Sequence, residues 1–190
     1  MLSALMCGLI ADPVPGGLLQ PGMELVYASN GRDQFPWRIL TVRPDSALRG
    51  ESACVTISQR RQAGEGPPEE SQFCLANDTL YSWNVEQNEW RIARPVGAGM
   101  VYETSRPNGD IIRYETGETR EEKLSGLTIP VVLTTVLTSD SSGHPKRRLR
   151  ERYSLGLVTA TGGVFETPDS TAPGGWRVQQ EFELRTIRMP

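Results

Sequence analysis

The chain has 190 residues, with 23 acidic and 20 basic side chains and a formal net charge of −3. This balance argues against general nucleic-acid binding, which requires an excess of positive charge. One histidine and three cysteines exclude most histidine-based metal sites and any zinc cluster that draws four Cys or His ligands from one place. The length suits one domain with a substantial hydrophobic core.

The N-terminal residues 1–11 (MLSALMCGLIA) are apolar and uncharged. The segment is too short to cross a membrane, because a spanning helix needs about 20 apolar residues. It resembles the apolar part of a secretory signal, and Cys7 followed by Gly8 is similar to a lipobox, where bacterial lipoproteins are cleaved and lipidated. The segment departs from that pattern at Ala4 and Met6, and no Lys or Arg precedes it. The alternative is an apolar arm that docks on the domain or on a partner.

Residues 23–190 are predicted to form a single antiparallel all-β domain, preceded by the apolar segment and a Pro/Gly linker over 1–22. Apolar residues alternate or form short β-rich blocks bounded by Gly, Pro, Asn and Asp, with no long helical pattern. About ten strands should form one curved sheet, a barrel-like or half-barrel meander, because a flat sheet this long would leave exposed edges. The strands with the clearest limits are predicted at 23–28, 37–42, 80–85, 90–93, 100–105, 111–115, 130–138 and 147–159.

The last predicted strand has the strongest alternation in the sequence. Trp176, Val178, Phe182 and Leu184 share one parity, and polar or charged residues occupy the other. A period of two predicts that these four side chains face the core. Residues 116–127, by contrast, are predicted to contain a short helical turn.

Cys54 and Cys74 lie in two strand-like segments separated by a Gly- and Pro-rich loop. If the two strands form a hairpin folded near Gly64, which is midway between them, the cysteines lie opposite each other and can form a disulfide. A disulfide implies an oxidising compartment. The alternative is a pair of buried free thiols, which is common for cysteine.

The segment 146–152 has five basic residues and one acidic residue. On a strand, Arg148, Arg150 and Arg152 share one face, which with Lys146 is a candidate surface for an anionic partner or anionic lipid. The alternative is a solvated face paired with carboxylates on neighbouring strands. The only histidine, His144, lies in a turn, and no nucleophile motif accompanies it, so no catalytic residue, metal ligand or cofactor site is predicted.

Two segments of the chain resemble small exported bacterial β-sheet proteins, many of them lipoproteins. Residues 17–27 (GLLQPGMELVY) are similar to a Pro-Leu-x-x-Gly-x-x-Trp-x-Tyr opening, with Leu25 in place of the Trp. Residues 151–158 (ERYSLGLV) are similar to a later Tyr-x-x-Gly-x-Gly-x-Val return, with Ser154 and Leu155 shortening its Gly-rich turn. The resemblance implies an extracytoplasmic curved sheet of unassigned function and supplies no catalytic residues.

Three hypotheses about function follow from these features. The first is a non-catalytic interaction or scaffold domain in the periplasm or on an extracytoplasmic membrane surface. It would be attached through its N-terminus and would act as an accessory subunit of a membrane-bound protein assembly. The second is a carrier of lipid or another apolar ligand, bound in a concave face lined by the Trp and Tyr side chains. The third is a hydrolase, which would require a carboxylate cluster in a cleft with at least one strongly raised pKa.

Overall fold

The computed structural model describes residues 17–20, 22–29, 35–44, 53–61 and 69–190. Its regular structure consists of β-strands and one 3-10 turn at Pro173–Gly175. The strands are β1 (Glu24–Ser29), β2 (Phe35–Pro44), β3 (Ala53–Arg61), β4 (Glu69–Ala76), β5 (Thr79–Asn84), β6 (Glu89–Pro95), β7 (Val101–Ser105), β8 (Ile111–Leu124), β9 (Leu127–Ser139), β10 (Pro145–Ser154), β11 (Thr159–Pro168) and β12 (Trp176–Arg188).

The twelve strands form one antiparallel sheet, in the order β6-β5-β4-β3-β2-β1-β12-β11-β10-β9-β8-β7. The predicted all-β antiparallel class is therefore confirmed. Two six-stranded meanders are joined side by side through β1 and β12, the first and last strands of the described residues. The sheet does not close into a barrel, because β6 and β7 stand at its two ends and no described ladder joins them.

The sheet curves back on itself, so that its first strands cover its last ones. β6 and β10 are the first and ninth strands of the order, yet Arg94 of β6 forms an ion pair with Glu151 of β10. A second contact region joins Leu80 of β5 to Tyr153 of β10 and to Leu155 beyond it. We call the face of the sheet that carries Glu151 and Tyr153 the inner face, and the opposite one the outer face.

The main core lies where β1 and β12 meet the hairpin of β8 and β9. Leu25 of β1, Leu184 of β12 and Ile129 of β9 belong to one buried cluster. The predicted linker ends in this core: Leu19 is buried, and the backbone N–H of Leu18 donates to the Gly156 carbonyl at 2.9 Å. The packed part of the chain thus includes residues that the sequence assigned to the linker.

Two sequence-based element predictions are wrong. The segment 116–127 contains no helical turn, because β8 continues to Leu124 and pairs with β9. The one irregularity in the pairing of β8 with β9 is a bulge between Thr116 and Thr119. The segment 147–159 is not one strand, because β10 ends at Ser154 and β11 begins at Thr159. The positive φ of Val158 and a hydrogen bond from the Val158 N–H to the Leu155 carbonyl mark the turn between them.

The last strand follows the predicted alternation over only part of its length. Leu184 is buried, but Val178 is 45% exposed. The register with β11 shifts here: Phe165 is opposite Gln180, whereas Glu166 is opposite Val178. This bulge places an extra residue between Val178 and Phe182, so the two side chains no longer face the same side of the sheet.

Candidate functional site

Three basic residues of β10, Arg148, Arg150 and Arg152, lie on the outer face and bind carboxylates of neighbouring strands. Glu166 of β11 accepts from Arg148 Nε at 2.7 Å and from Arg150 Nη2 at 2.9 Å. The Glu166 side chain is only 4% exposed, and its hydrogen bond with Arg148 is the main reason that its pKa is held below the ordinary value. The Arg148 guanidinium also stacks over the Trp176 ring, 4.3 Å from its centroid.

The other two predicted basic residues are paired as well. Lys146 Nζ lies 2.5 Å from Asp110 Oδ1, and Arg152 Nε lies 2.5 Å from Glu122 Oε1 of β8. The structure thus gives each of the four basic residues a carboxylate partner, as the solvated-face alternative expects. An anionic partner on this face would compete with those carboxylates for the same guanidinium groups.

A cleft of about 540 Å³ crosses strands β8 to β11 on the outer face. Arg150 and Arg152 line it together with Leu133, Thr135 and Glu115. No Tyr or Trp side chain contributes to its lining. This cleft is therefore different from the aromatic cavity that the carrier hypothesis predicts.

On the inner face, Arg94 and Glu151 form an ion pair that sequence analysis did not predict. The side chains are 11% and 7% exposed, and Arg94 Nη2 lies 2.5 Å from Glu151 Oε1. The guanidinium carbon of Arg94 also lies 3.7 Å from the centroid of the Tyr153 ring, while Arg94 Nε has no hydrogen-bond partner among the described residues. The two residues are 57 positions apart, and no local pattern marks either of them as buried.

The cysteines of β3 and β4 occupy the predicted register. Cys54 is directly opposite Cys74, and a disulfide joins them in the structure. Both residues are almost fully buried. The third cysteine, Cys7, and the rest of the apolar segment lie outside the described residues.

The aromatic side chains are divided between both faces and the core instead of lining one cavity. Trp83 and Trp90 form an edge-to-face pair across β5 and β6, with ring centroids 5.4 Å apart. Tyr102 and Tyr114 pair across β7 and β8 at 6.2 Å. Tyr27 is buried and donates to the Ala160 carbonyl at 2.8 Å, and burial raises its pKa to about 12.

His144 belongs to a hydrogen-bonded turn at the exposed end of β9 and β10. Asp140 Oδ1 accepts from the Ser142 hydroxyl at 2.7 Å and from the His144 backbone N–H at 2.9 Å. His144 Nδ1 lies 2.9 Å from the Ser142 oxygen, but its side chain is 81% exposed. These contacts shape the turn and agree with its predicted role as a surface turn residue.

Several carboxyl groups have a displaced pKa, and in each the shift is downward. The groups are Asp110, Asp140, Glu166 and Asp169, and the largest cause is in each case a side-chain hydrogen bond, from Lys146, Ser142, Arg148 and Thr171 respectively. A hydrolase of the predicted kind requires the opposite shift, a carboxyl that stays protonated near neutral pH. These four groups do not provide it.

The open ends of the sheet carry exposed apolar side chains. Ile92 on β6 is 40% exposed, Val101 on β7 is 61% exposed, and Val85 in the β5–β6 turn is 79% exposed. The linker between β6 and β7 is fixed by hydrogen bonds from the Gly97 N–H to the Asp78 carbonyl and from the Gly99 N–H to the Thr116 carbonyl. Within the described ranges, β6 and β7 are each paired with a neighbouring strand on one side only, and this fixed linker joins them.

Across the described ranges, no helix is long and apolar enough to span a membrane. The same residues contain no group of three or more His, Cys, Asp or Glu side chains suited to a metal ion.

Comparison with known proteins identifies similar folds only. No protein-family model and no curated protein matches the sequence. A solved structure from Bacteroides fragilis, a "putative exported protein with YmcC-like fold", has 7% sequence identity, with 93% of this chain and 100% of that chain covered and a TM-score of 0.51. A "putative lipoprotein" from Parabacteroides distasonis has 12% identity at the same coverage, with a TM-score of 0.49. At 7% identity, the first match establishes a similar fold and nothing further.

Proposed function

We propose that this chain is a non-catalytic extracytoplasmic interaction domain. It is held at a membrane surface by its N-terminal segment and acts as an accessory subunit of a membrane-bound protein assembly. The observation that carries the proposal is the pair of open strand edges, β6 and β7, with the exposed side chains of Ile92, Val101 and Val85 beside them.

Unpaired strand edges and exposed apolar side chains are features that soluble proteins normally limit. An edge presents free backbone N–H and C=O groups that pair readily with another chain, and exposed apolar side chains beside it add surface that a partner can bury. The basic segment of β10 differs from these edges, because its four predicted basic residues already bind carboxylates. The partner is therefore expected at the sheet ends and not at the basic segment.

The proposed compartment is supported by the disulfide between Cys54 and Cys74. Disulfides persist in oxidising compartments and are rare in the reducing cytosol. The similarity in fold to a protein described as exported agrees with this assignment. Attachment through a lipidated Cys7 remains part of the proposal and is tested by the intact mass of the protein isolated from native membranes. A mass that lacks residues 1–6 and includes acyl chains supports lipidation, whereas a full-length, unmodified mass rejects it.

Site-specific photo-crosslinking in native membranes tests the interaction itself. A photoreactive amino acid is placed at Ile92 on the β6 edge, and in a matched control at Val178 on β12, because the two side chains have similar exposure, 40% and 45%. The proposal expects a discrete protein adduct from position 92 and a much weaker one from 178. Absence of an adduct at 92, or equal yields from both positions, contradicts it.

A further inference from the structure

A row of apolar side chains crosses the inner face of five consecutive strands. Tyr102 of β7 is opposite Tyr114 of β8, Tyr114 is opposite Val136 of β9, Val136 is opposite Leu149 of β10, and Leu149 is opposite Phe165 of β11. Leu149 lies two residues from Glu151 on the same strand, so both side chains point to the inner face. We call these five residues the inner strip.

All members of the inner strip are partly exposed, although they are the larger apolar residues of this part of the sheet. Among their neighbours on the same face, two positions along the strands, Thr116, Thr134 and Thr138 are buried, whereas Arg147 beside Leu149 is exposed and charged. The exposed apolar surface is thus one side chain wide. At its β11 end it continues to the Phe182 ring, whose centroid is 5.7 Å from that of Phe165.

The dimensions of the inner strip favour a small elongated ligand over a protein. Across the sheet, five strands spaced about 4.8 Å apart give the strip a length of about 19 Å. Along each strand, side chains on one face repeat every two residues, so a strip one side chain wide is about 7 Å wide. The resulting area of roughly 130 Å² is well below the roughly 800 Å² that each partner buries in a stable protein interface. An extended hydrocarbon chain matches a narrow strip of this length.

The β7 end of the inner strip has polar and cationic groups. The hydroxyl groups of Tyr102 and Tyr114 are located there, and the positive charges of Arg94 and Arg106 both act on Tyr114. Arg94 is already paired with Glu151. Arg106 forms no close ion pair within the described ranges, and the one carboxylate on which its charge is seen to act, Asp110, is already bound by Lys146. An anionic group is therefore favoured at this end. We propose that the inner strip binds the hydrocarbon chain of a free fatty acid, with its carboxylate toward Arg106.

Titration of the full chain with a dansyl-labelled undecanoic acid tests this site independently of the proposed membrane partner. The expected result is saturable binding of one probe per chain, displaced by oleic acid and much less by the same concentration of its uncharged analogue oleyl alcohol. Equal displacement by the alcohol, or no saturable binding, overturns the proposal.

Two matched variants locate the probe on one face of the sheet. Leu149→Asn places a polar group in the inner strip and should weaken binding about tenfold, because an apolar contact is lost and an amide must be desolvated. Leu137→Asn changes a partly exposed leucine on the outer face of the neighbouring strand and should alter the affinity less than about twofold. An equal effect of both substitutions contradicts the assignment.

The unmodified protein provides a test that does not depend on folding of either variant. A spin-labelled stearic acid should broaden the ring resonances of Tyr102, Tyr114 and Phe165 in an NMR spectrum. The rings of Trp83 and Trp90, on the opposite face of β5 and β6, should stay sharp. Broadening of the tryptophan signals alone, or of none of these rings, overturns the proposed site.

Discussion

Arg94 of β6 and Glu151 of β10 form an ion pair that joins the two halves of the curved sheet, with Arg94 Nη2 2.5 Å from Glu151 Oε1. The Arg94 guanidinium also stacks on the buried Tyr153 ring. Each of these buried charges is stabilised by the other, because removing one partner leaves the remaining charge buried without a counter-charge. This contact fixes how closely the open end of the sheet packs on β10.

We predict that Glu151→Leu and Arg94→Met each lower the free energy of unfolding by about 3 kcal/mol, within the range for breaking a buried pair. The double variant Arg94→Met with Glu151→Leu should recover much of that loss, because both charges are then removed from the interior. Urea denaturation of the four proteins gives the coupling free energy. Additive losses in the double variant would show that the two charges do not stabilise each other.

The ion pairs of Glu166 with Arg148 and Arg150 predict that the protein becomes less stable at acidic pH. The pKa of Glu166 is lowered in the folded state, chiefly by the hydrogen bond from Arg148. The stabilisation is therefore present above the ordinary value of 4.5 and is lost as the pH falls through the lower folded pKa. Glu166→Gln should destabilise the protein by about 1–3 kcal/mol at pH 7 and by much less near pH 3. A constant difference between the two proteins across this range would contradict the assignment.

The raised pKa of Tyr27 predicts that the protein becomes less stable at alkaline pH. Burial raises this pKa from 10 to about 12, so the unfolded chain loses the phenolic proton first as the pH rises. The stability contributed by the neutral phenol is complete below pH 10 and is lost as the pH rises to about 12. A two-unit shift corresponds to roughly 2–3 kcal/mol. Unfolding free energies of Tyr27→Phe and the unmodified protein at pH 8, 10 and 11.5 should show the smaller alkaline loss in the variant.

Removing the disulfide should destabilise the domain by about 3 kcal/mol. The bridge closes a loop with a sequence separation of 20, and cross-links of this size restrict the unfolded chain by about that amount. The variant with both Cys54→Ser and Cys74→Ser is compared with Cys7→Ser, which leaves the bridge intact, by guanidinium denaturation. If the Cys7 variant loses as much stability as the double variant, the effect does not come from the bridge.

Local sequence patterns were sufficient to predict the all-β class, most of the hairpins and the facing positions of Cys54 and Cys74. These properties depend on local signals, namely a two-residue period, turn residues and the symmetric placement of two residues about a loop. The extended β8 and the separate β10 and β11 were missed. Polar residues over 116–124 weakened the strand signal, and no glycine or asparagine at Val158 marked its positive φ.

The sheet order, the bulges and the inner-face contacts could not be predicted from local patterns and became visible in the folded chain. The joining of β1 to β12 and the contact of Arg94 with Glu151 depend on the curvature of the whole sheet, which no local pattern encodes. The bulge beside Val178 reverses the side to which its side chain points, because one inserted residue changes the parity of a strand. The inner strip has the same origin: its five members are far apart in the sequence, and cross-strand register alone places them in one row.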